Sequence, residues 1–120
     1  MEIILIGDED FLLRRIPNFP SHIKPDGTIA RTSFTLKKGE DGISTDLEKL
    51  TTQSFTLLDR SRYRLARINA GLIRNQINDG LECKHNPLPE NFAHTLITDL
   101  SGEITKSKSR AMASSAEIII

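Results

Sequence analysis

Cys83, His85 and His94 are, with His22, the only thiol or imidazole side chains in the chain. Cys83-x-His85 with His94 beyond it offers three zinc ligands on two adjacent strands, and Glu90 or Asp99 could supply a fourth. The spacing matches none of the familiar finger patterns. The expectation is therefore no metal and no cofactor, with a small buried cysteine and two histidines at loop edges. Geometry also disfavours a Cys83–His85 nucleophilic pair. Residues two apart on one strand share a face at roughly 6 to 7 Å, too far for a direct hydrogen bond.

Arginines form the second constellation. Arg60, Arg62 and Arg64 fall at strand spacing, Arg67 lies just beyond, and Arg74 sits on the element that follows. A strand starting as early as residue 60 would line three guanidinium groups along one face, a surface suited to carboxylate or phosphate and open to nucleic acid. The competing reading is a solvated face matched to the protein's own Asp and Glu. Aromatic interleaving of the kind single strands prefer is limited to Tyr63, expected on the opposite face. Gly39 and Gly42 are not followed by Gly-Lys-Ser/Thr, so P-loop nucleotide hydrolysis is excluded. No dinucleotide fingerprint, Gly-x-Ser-x-Gly elbow or His-Glu-x-x-His helix is present.

The elements that must position these groups belong to one domain spanning residues 1–120. The chain has 120 residues, 16 Lys+Arg against 16 Asp+Glu and 38% hydrophobic residues, so a general phosphate-backbone binder is disfavoured. Val and Trp are absent, and Ile and Leu carry the core. The apolar runs Ile3 to Ile6 and Ile118 to Ile120 fall far short of the ~20 residues of a membrane span, and Met1-Glu2 lacks a basic signal start. A single cysteine fits a reducing compartment. Cytoplasmic location without a membrane partner is the expectation.

Ile3 to Ile6 reads as a buried strand stopped by Gly7. Phe11 to Ile16 reads as a short helix or a second strand. Pro17 to Gly27 is an ordered loop ending in the turn Lys24-Pro25-Asp26-Gly27. Ile29 to Lys37 alternates as a strand with Phe34 and Leu36 inward, and Ser44 is placed to cap a helix from Thr45 to Leu50. Arg62 to Ile68 reads as a strand, and Asn69 caps a helix from Ala70 to Asn78 with the stripe Leu72, Ile73 and Ile77, stopped at Gly80. Leu81 to His85 and Phe92 to Ile97 are strands around a Pro87/Pro89 loop. Ser101 begins a helix over about Ile104 to Ala116. The result is an α+β fold, a small mixed or antiparallel sheet packed against two or three short helices. Leu65, Ile68, Leu72, Ile73, Ile77, Phe34, Leu36, Phe92 and Leu96 are expected in one core. Ile118, Ile119 and Ile120 should either pair internally, beside Ile3 to Ile6, or add a strand to a partner.

Arg14-Arg15-Ile16, Pro25-Asp26-Gly27, Ser33-Phe34, Gly42-Ile43-Ser44-x-Asp46-Leu47 and His85-Asn86-Pro87-x-Pro89-x-Asn91-x-Ala93-His94 resemble a family of small bacterial proteins. The resemblance spans nearly the whole chain and implies no particular activity. The arginine pair, the strand with Ser-Phe and the later histidine also look like a trimmed ADP-ribosyltransferase-type fold, although the catalytic Glu of that fold has no counterpart here. Two classes of function follow. One is a non-catalytic interaction module, partner of a larger protein or of itself, in a defence or toxin-linked setting. The other is a small, nucleotide-directed enzyme using Arg15, Ser44, His85 and His94. Convergence of Arg15, Asp46, His85 and His94 in one cleft would favour the enzyme; scatter in turns and caps would favour the module.

Overall fold

Along Phe11–Pro17, the first strand (β1), Leu12 and Ile16 face one side of the sheet while Leu13 and Arg15 face the other. The computed structural model describes residues 2–77 and 80–120. After β1 come β2 (Ile43–Leu47), α1 (Gln53–Leu57), β3 (Tyr63–Asn69), α2 (Ala70–Leu72), β4 (Leu81–His85), β5 (His94–Asp99), α3 (Lys106–Ser115) and β6 (Glu117–Ile118). The strands make one antiparallel sheet in the order β4-β5-β2-β1-β3-β6. This is the expected small α+β architecture.

The inner face collects Leu12, Ile16, Ile43, Leu47, Ala66, Ile68, Cys83 and Ile97, closed over by Phe34, Ile73 and Met112. Each such large side chain contributes about 1.5 to 3 kcal/mol on burial. On the outer face α1 packs on β1 and β3, where Leu57 meets Leu13 and Leu65, and reaches β2 where Thr56 bonds Asp46. Beyond that contact the outer side of β2 and β5 is open. Two apolar clusters thus replace the single expected core. Phe34, Leu65, Ile68 and Ile73 are buried as expected, but Leu36, Leu72, Ile77 and Leu96 are half-buried, and Phe92 is 40% exposed.

Several local expectations change. Residues 3–6 form no regular strand. Ile6 is buried, Ile4 half-buried and Ile3 and Leu5 exposed. Phe11–Pro17 is the strand of its two alternatives, ending at a proline that cannot extend the ladder. Arg31–Phe34 is a 3-10 turn, not part of a strand from Ile29 to Lys37. There the Thr35 hydroxyl donates to the Arg31 carbonyl, a local bond that competes with a ladder, and the Ser33 hydroxyl donates to the His22 carbonyl across the preceding turn.

Ser44 caps nothing. Inward burial of Ile43, Thr45 and Leu47 makes the segment a strand, followed by the 3-10 turn Glu48–Leu50. Asn69 does cap its helix, accepting from the Leu72 amide at 2.8 Å, but the helix relaxes into a π turn over Ile73–Ile77. The expected end at Asn78 lies outside the described residues. Thr105, not Ser101, caps α3. The turn at Lys24 to Gly27 is present, with Gly27 at φ +88° and its amide bonded to the Lys24 carbonyl. Among the described residues, no helix is long and apolar enough to cross a membrane.

Candidate active site

The uncovered outer side of β2 and β5 is the floor of a cleft of about 500 Å³, containing Ser44, Asp46 and His94. Ser54, Phe55 and Leu58 from α1 and its end make one wall, and Leu88, Glu90 and Asn91 from the loop between β4 and β5 make the other. Arg14 and Arg15 of β1 complete it. A long loop over a rigid sheet is where binding groups commonly gather.

Pairing of β2 with β5 sets the floor. Asp46 lies opposite His94 and Ser44 opposite Leu96, all outward. Gly42, just before β2, makes this approach possible: a Cβ there would meet the Ile97 carbonyl oxygen at 2.9 Å and the Leu96 Cβ at 2.9 Å. Ser44 Oγ lies 3.2 Å from His94 Nε2. His94 Nδ1 faces two acceptors, the Asn86 carbonyl at 2.9 Å and Asn86 Oδ1 at 3.1 Å. Only a protonated Nδ1 satisfies them, so in the neutral ring Nε2 is the acceptor and the Ser44 hydroxyl donates to it. A hydroxyl, an imidazole and an oxygen that fixes the tautomer thus stand in series.

Asp46 braces the surroundings. Its buried carboxylate accepts from Thr56 Oγ1 at 2.7 Å and from Asn91 Nδ2 at 2.8 Å, tying α1 and the loop wall to the floor. Asn91 Oδ1 also accepts from the Ala93 amide at 3.1 Å, so the proline loop is held from within.

Arg14 bridges the inner and outer layers. Register between β1 and β2 stops after Leu13 and Asp46. Beyond that point Arg14 Nε donates to the Ser33 carbonyl at 3.0 Å and Nη1 to the Ser44 carbonyl at 2.7 Å. Burial pulls its guanidinium below the ordinary value, and it stays charged. No carboxylate lies within ion-pair distance of it among the described residues.

Of the sequence candidates, Arg15, Ser44, Asp46 and His94 meet in this cleft and His85 does not. His85 is on the inner face, where Nδ1 accepts from the Ile4 amide at 2.8 Å and Nε2 therefore donates to the Phe92 carbonyl at 2.6 Å. It ties the N-terminal segment to the loop. Cys83 shares that face, so Cys83 and His85 do not join His94 as a ligand set, and among the described residues no His/Cys/Asp/Glu group is arranged for a metal.

The arginine row does not form, because β3 starts at Tyr63 and Arg60 and Arg62 occupy the preceding turn. Arg64 Nε donates to the Ile120 carbonyl at 2.9 Å. Arg67 grips Glu48 with two bonds, at 2.7 and 2.9 Å, and lies 3.6 Å over the Phe11 ring. Ile118 pairs with Ala66, and the Ile119 amide and Ile120 carbonyl bond Leu65, so the chain end joins β3 rather than Ile3 to Ile6.

Arg14 and Asn86 went unrecognised as individual site residues. Asn86 is within the proline loop, where an acceptor beside a histidine was the available signal. Nothing local distinguishes Arg14 from Arg15. Comparison with family models, with curated proteins and with solved structures gives no match to this chain.

Proposed function

We propose that the cleft is a hydrolytic active site for small esters, with Ser44 as nucleophile and His94 as general base. The observation that carries this reading is the series Ser44 Oγ, His94 Nε2, His94 Nδ1 and the Asn86 oxygens. Ser44 Oγ attacks the ester carbonyl carbon while its proton passes to His94 Nε2. His94 then gives that proton to the departing alcohol as the ester C–O bond breaks, leaving an acyl-Ser44. Water, losing a proton to His94, releases the acid and restores the hydroxyl. The Asn86 carbonyl orients the ring and accepts from the imidazolium. Arg14, bonded to the Ser44 carbonyl, puts a fixed positive charge beside the nucleophile, where negative charge develops in the tetrahedral state.

Hydrolysis of p-nitrophenyl acetate tests the reading. Ser44→Ala should fall to the background of the folded protein, and His94→Ala should lose about 10²- to 10⁴-fold in rate. Equal rates for wild type and both variants would remove it.

One observation favours the interaction module. Phe55 and Leu58 at the cleft and Phe92 beside it are 53%, 64% and 40% exposed, an apolar rim onto which a protein partner could dock. On that reading Phe55→Ser abolishes association with the partner while Ser44→Ala leaves it intact.

A further inference from the structure

The arginines of this protein fall into two groups. Arg67 and Arg74 each hold a carboxylate, Glu48 for the first and both Asp8 and Glu82 for the second. The other seven, Arg14, Arg15 and Arg62 among them, hold none among the described residues. The chain has as many acids as bases, so this is a matter of placement and not of shortage.

Of these arginines, Arg14 and Arg15 line the cleft of the nucleophile. Arg15, two residues beyond the Leu13–Asp46 pair at which the ladder ends, lines the same cleft as Ser44 and His94. Arg15 is also held in place: its guanidinium carbon is 5.0 Å from the centre of the Tyr63 ring, and that of Arg62 is 5.2 Å from the same ring. Two guanidinium groups lie against one ring with no carboxylate among the described residues to balance either, a charge that a bound anion stabilises. Arg14 adds a third positive charge through the Ser44 carbonyl.

The two carboxylates of the cleft sit elsewhere. Asp46 is two residues along β2 from Ser44 and occupied by Thr56 and Asn91, while Glu90 is on the loop wall. The cleft is positive where Arg14 and Arg15 adjoin Ser44 and negative along Asp46 and Glu90.

We infer that the ester processed at Ser44 carries a compact anionic group, a carboxylate or a phosphate, which Arg15 binds at the cleft from its seat on the Tyr63 ring. This deepens the hydrolytic reading and rests on it for the word ester; the anion site itself stands on the arginines. A planar guanidinium presents paired donors to either group, so the shared chemistry is two oxygens bearing negative charge. Such a contact weakens with salt.

Two measurements test it. The first is binding of inorganic phosphate and of acetate, followed by the NMR signals of the arginine Nε–H groups, in wild type, Ser44→Ala, Arg15→Gln and Arg62→Gln. At least one anion should shift the Arg15 signal equally in wild type and Ser44→Ala, with affinity falling about tenfold or more in Arg15→Gln and less in Arg62→Gln. The anion that binds more tightly identifies the group. The second compares p-nitrophenyl acetate with the anionic mono-p-nitrophenyl succinate. The succinate ester should show the higher kcat/KM, and Arg15→Gln should erase that advantage.

Anion binding without hydrolysis of either ester would defeat the hydrolytic reading and leave the anion site standing. Hydrolysis with no preference for the anionic ester, or no Arg15 response to either anion, would overturn the inference.

Discussion

Ser44 and His94 meet on a diagonal of the β2–β5 ladder. The residue directly opposite His94 is Asp46, yet the imidazole Nε2 lies 3.2 Å from Ser44 Oγ. Diagonal neighbours on one face are about 7 to 8 Å apart at Cα, a gap an imidazole ring spans. Asp46 does not compete for the ring, because Thr56 and Asn91 occupy its carboxylate.

That division of labour makes Asp46 the brace of the cleft. Thr56→Val and Asn91→Ala should each destabilise the protein by about 1 to 3 kcal/mol, since each leaves a buried carboxylate with one donor fewer. Their double variant should depart from additivity, because both act on one carboxylate. Urea unfolding of the four proteins in the cycle measures this; strict additivity would show that the two bonds are independent.

Cys83 should be inert in the folded protein. Burial pushes its thiol up to about 12, leaving almost no thiolate near neutral pH. A disulfide-exchange reagent at pH 8 should give no native reaction, and the sole thiol should react once the chain is denatured. Fast native reaction would contradict the placement of Cys83 in the inner core.

Much of this framework was legible from sequence, and the boundary is physical. The strand read over Arg62 to Ile68 and found over Tyr63–Asn69, the cap that follows it, Leu81 to His85, and the proline loop each depend on neighbours within a few residues, and strand alternation, a cap or a turn reports them. Ser44 and Ser33 were misread because a serine beside an apolar run has the same local signature as a cap or strand residue wherever its hydroxyl goes. Here one hydroxyl goes to His94 and the other to the His22 carbonyl, partners that only the tertiary fold supplies. Of the cleft, the sequence names Arg15, Ser44, Asp46 and His94 as candidates and misses Arg14, Asn86, Thr56 and the apolar wall of Phe55 and Leu58. Their convergence depends on β2 pairing with β5 across two intervening helices and two strands, which no local pattern encodes. His85 was separated from His94 by the same alternation, applied to a strand whose outward face was not known.

Asp99 should make stability depend on acid. Its carboxyl is held well below the usual range, at about 2, first by the Lys108 side chain and then by the Ser101 amide. The folded state therefore keeps the charge to lower pH than the unfolded chain, whose value is near 3.8. The stabilisation is fully present above about pH 5 and drains away as pH falls through about 4 towards 2. Wild type should exceed Asp99→Asn in thermal stability by a margin that is flat near neutrality and shrinks in that window. A margin that grew on acidification would refute the assignment.

The most direct measurement of the central claim is labelling by a fluorophosphonate, whose phosphorus bonds to an activated serine oxygen as fluoride leaves. Intact and peptide mass spectrometry of the folded protein should show a single adduct on Ser44. The adduct should be absent from Ser44→Ala and should form at least about tenfold more slowly in His94→Ala. No adduct on Ser44, or a labelling rate indifferent to His94, would contradict the account.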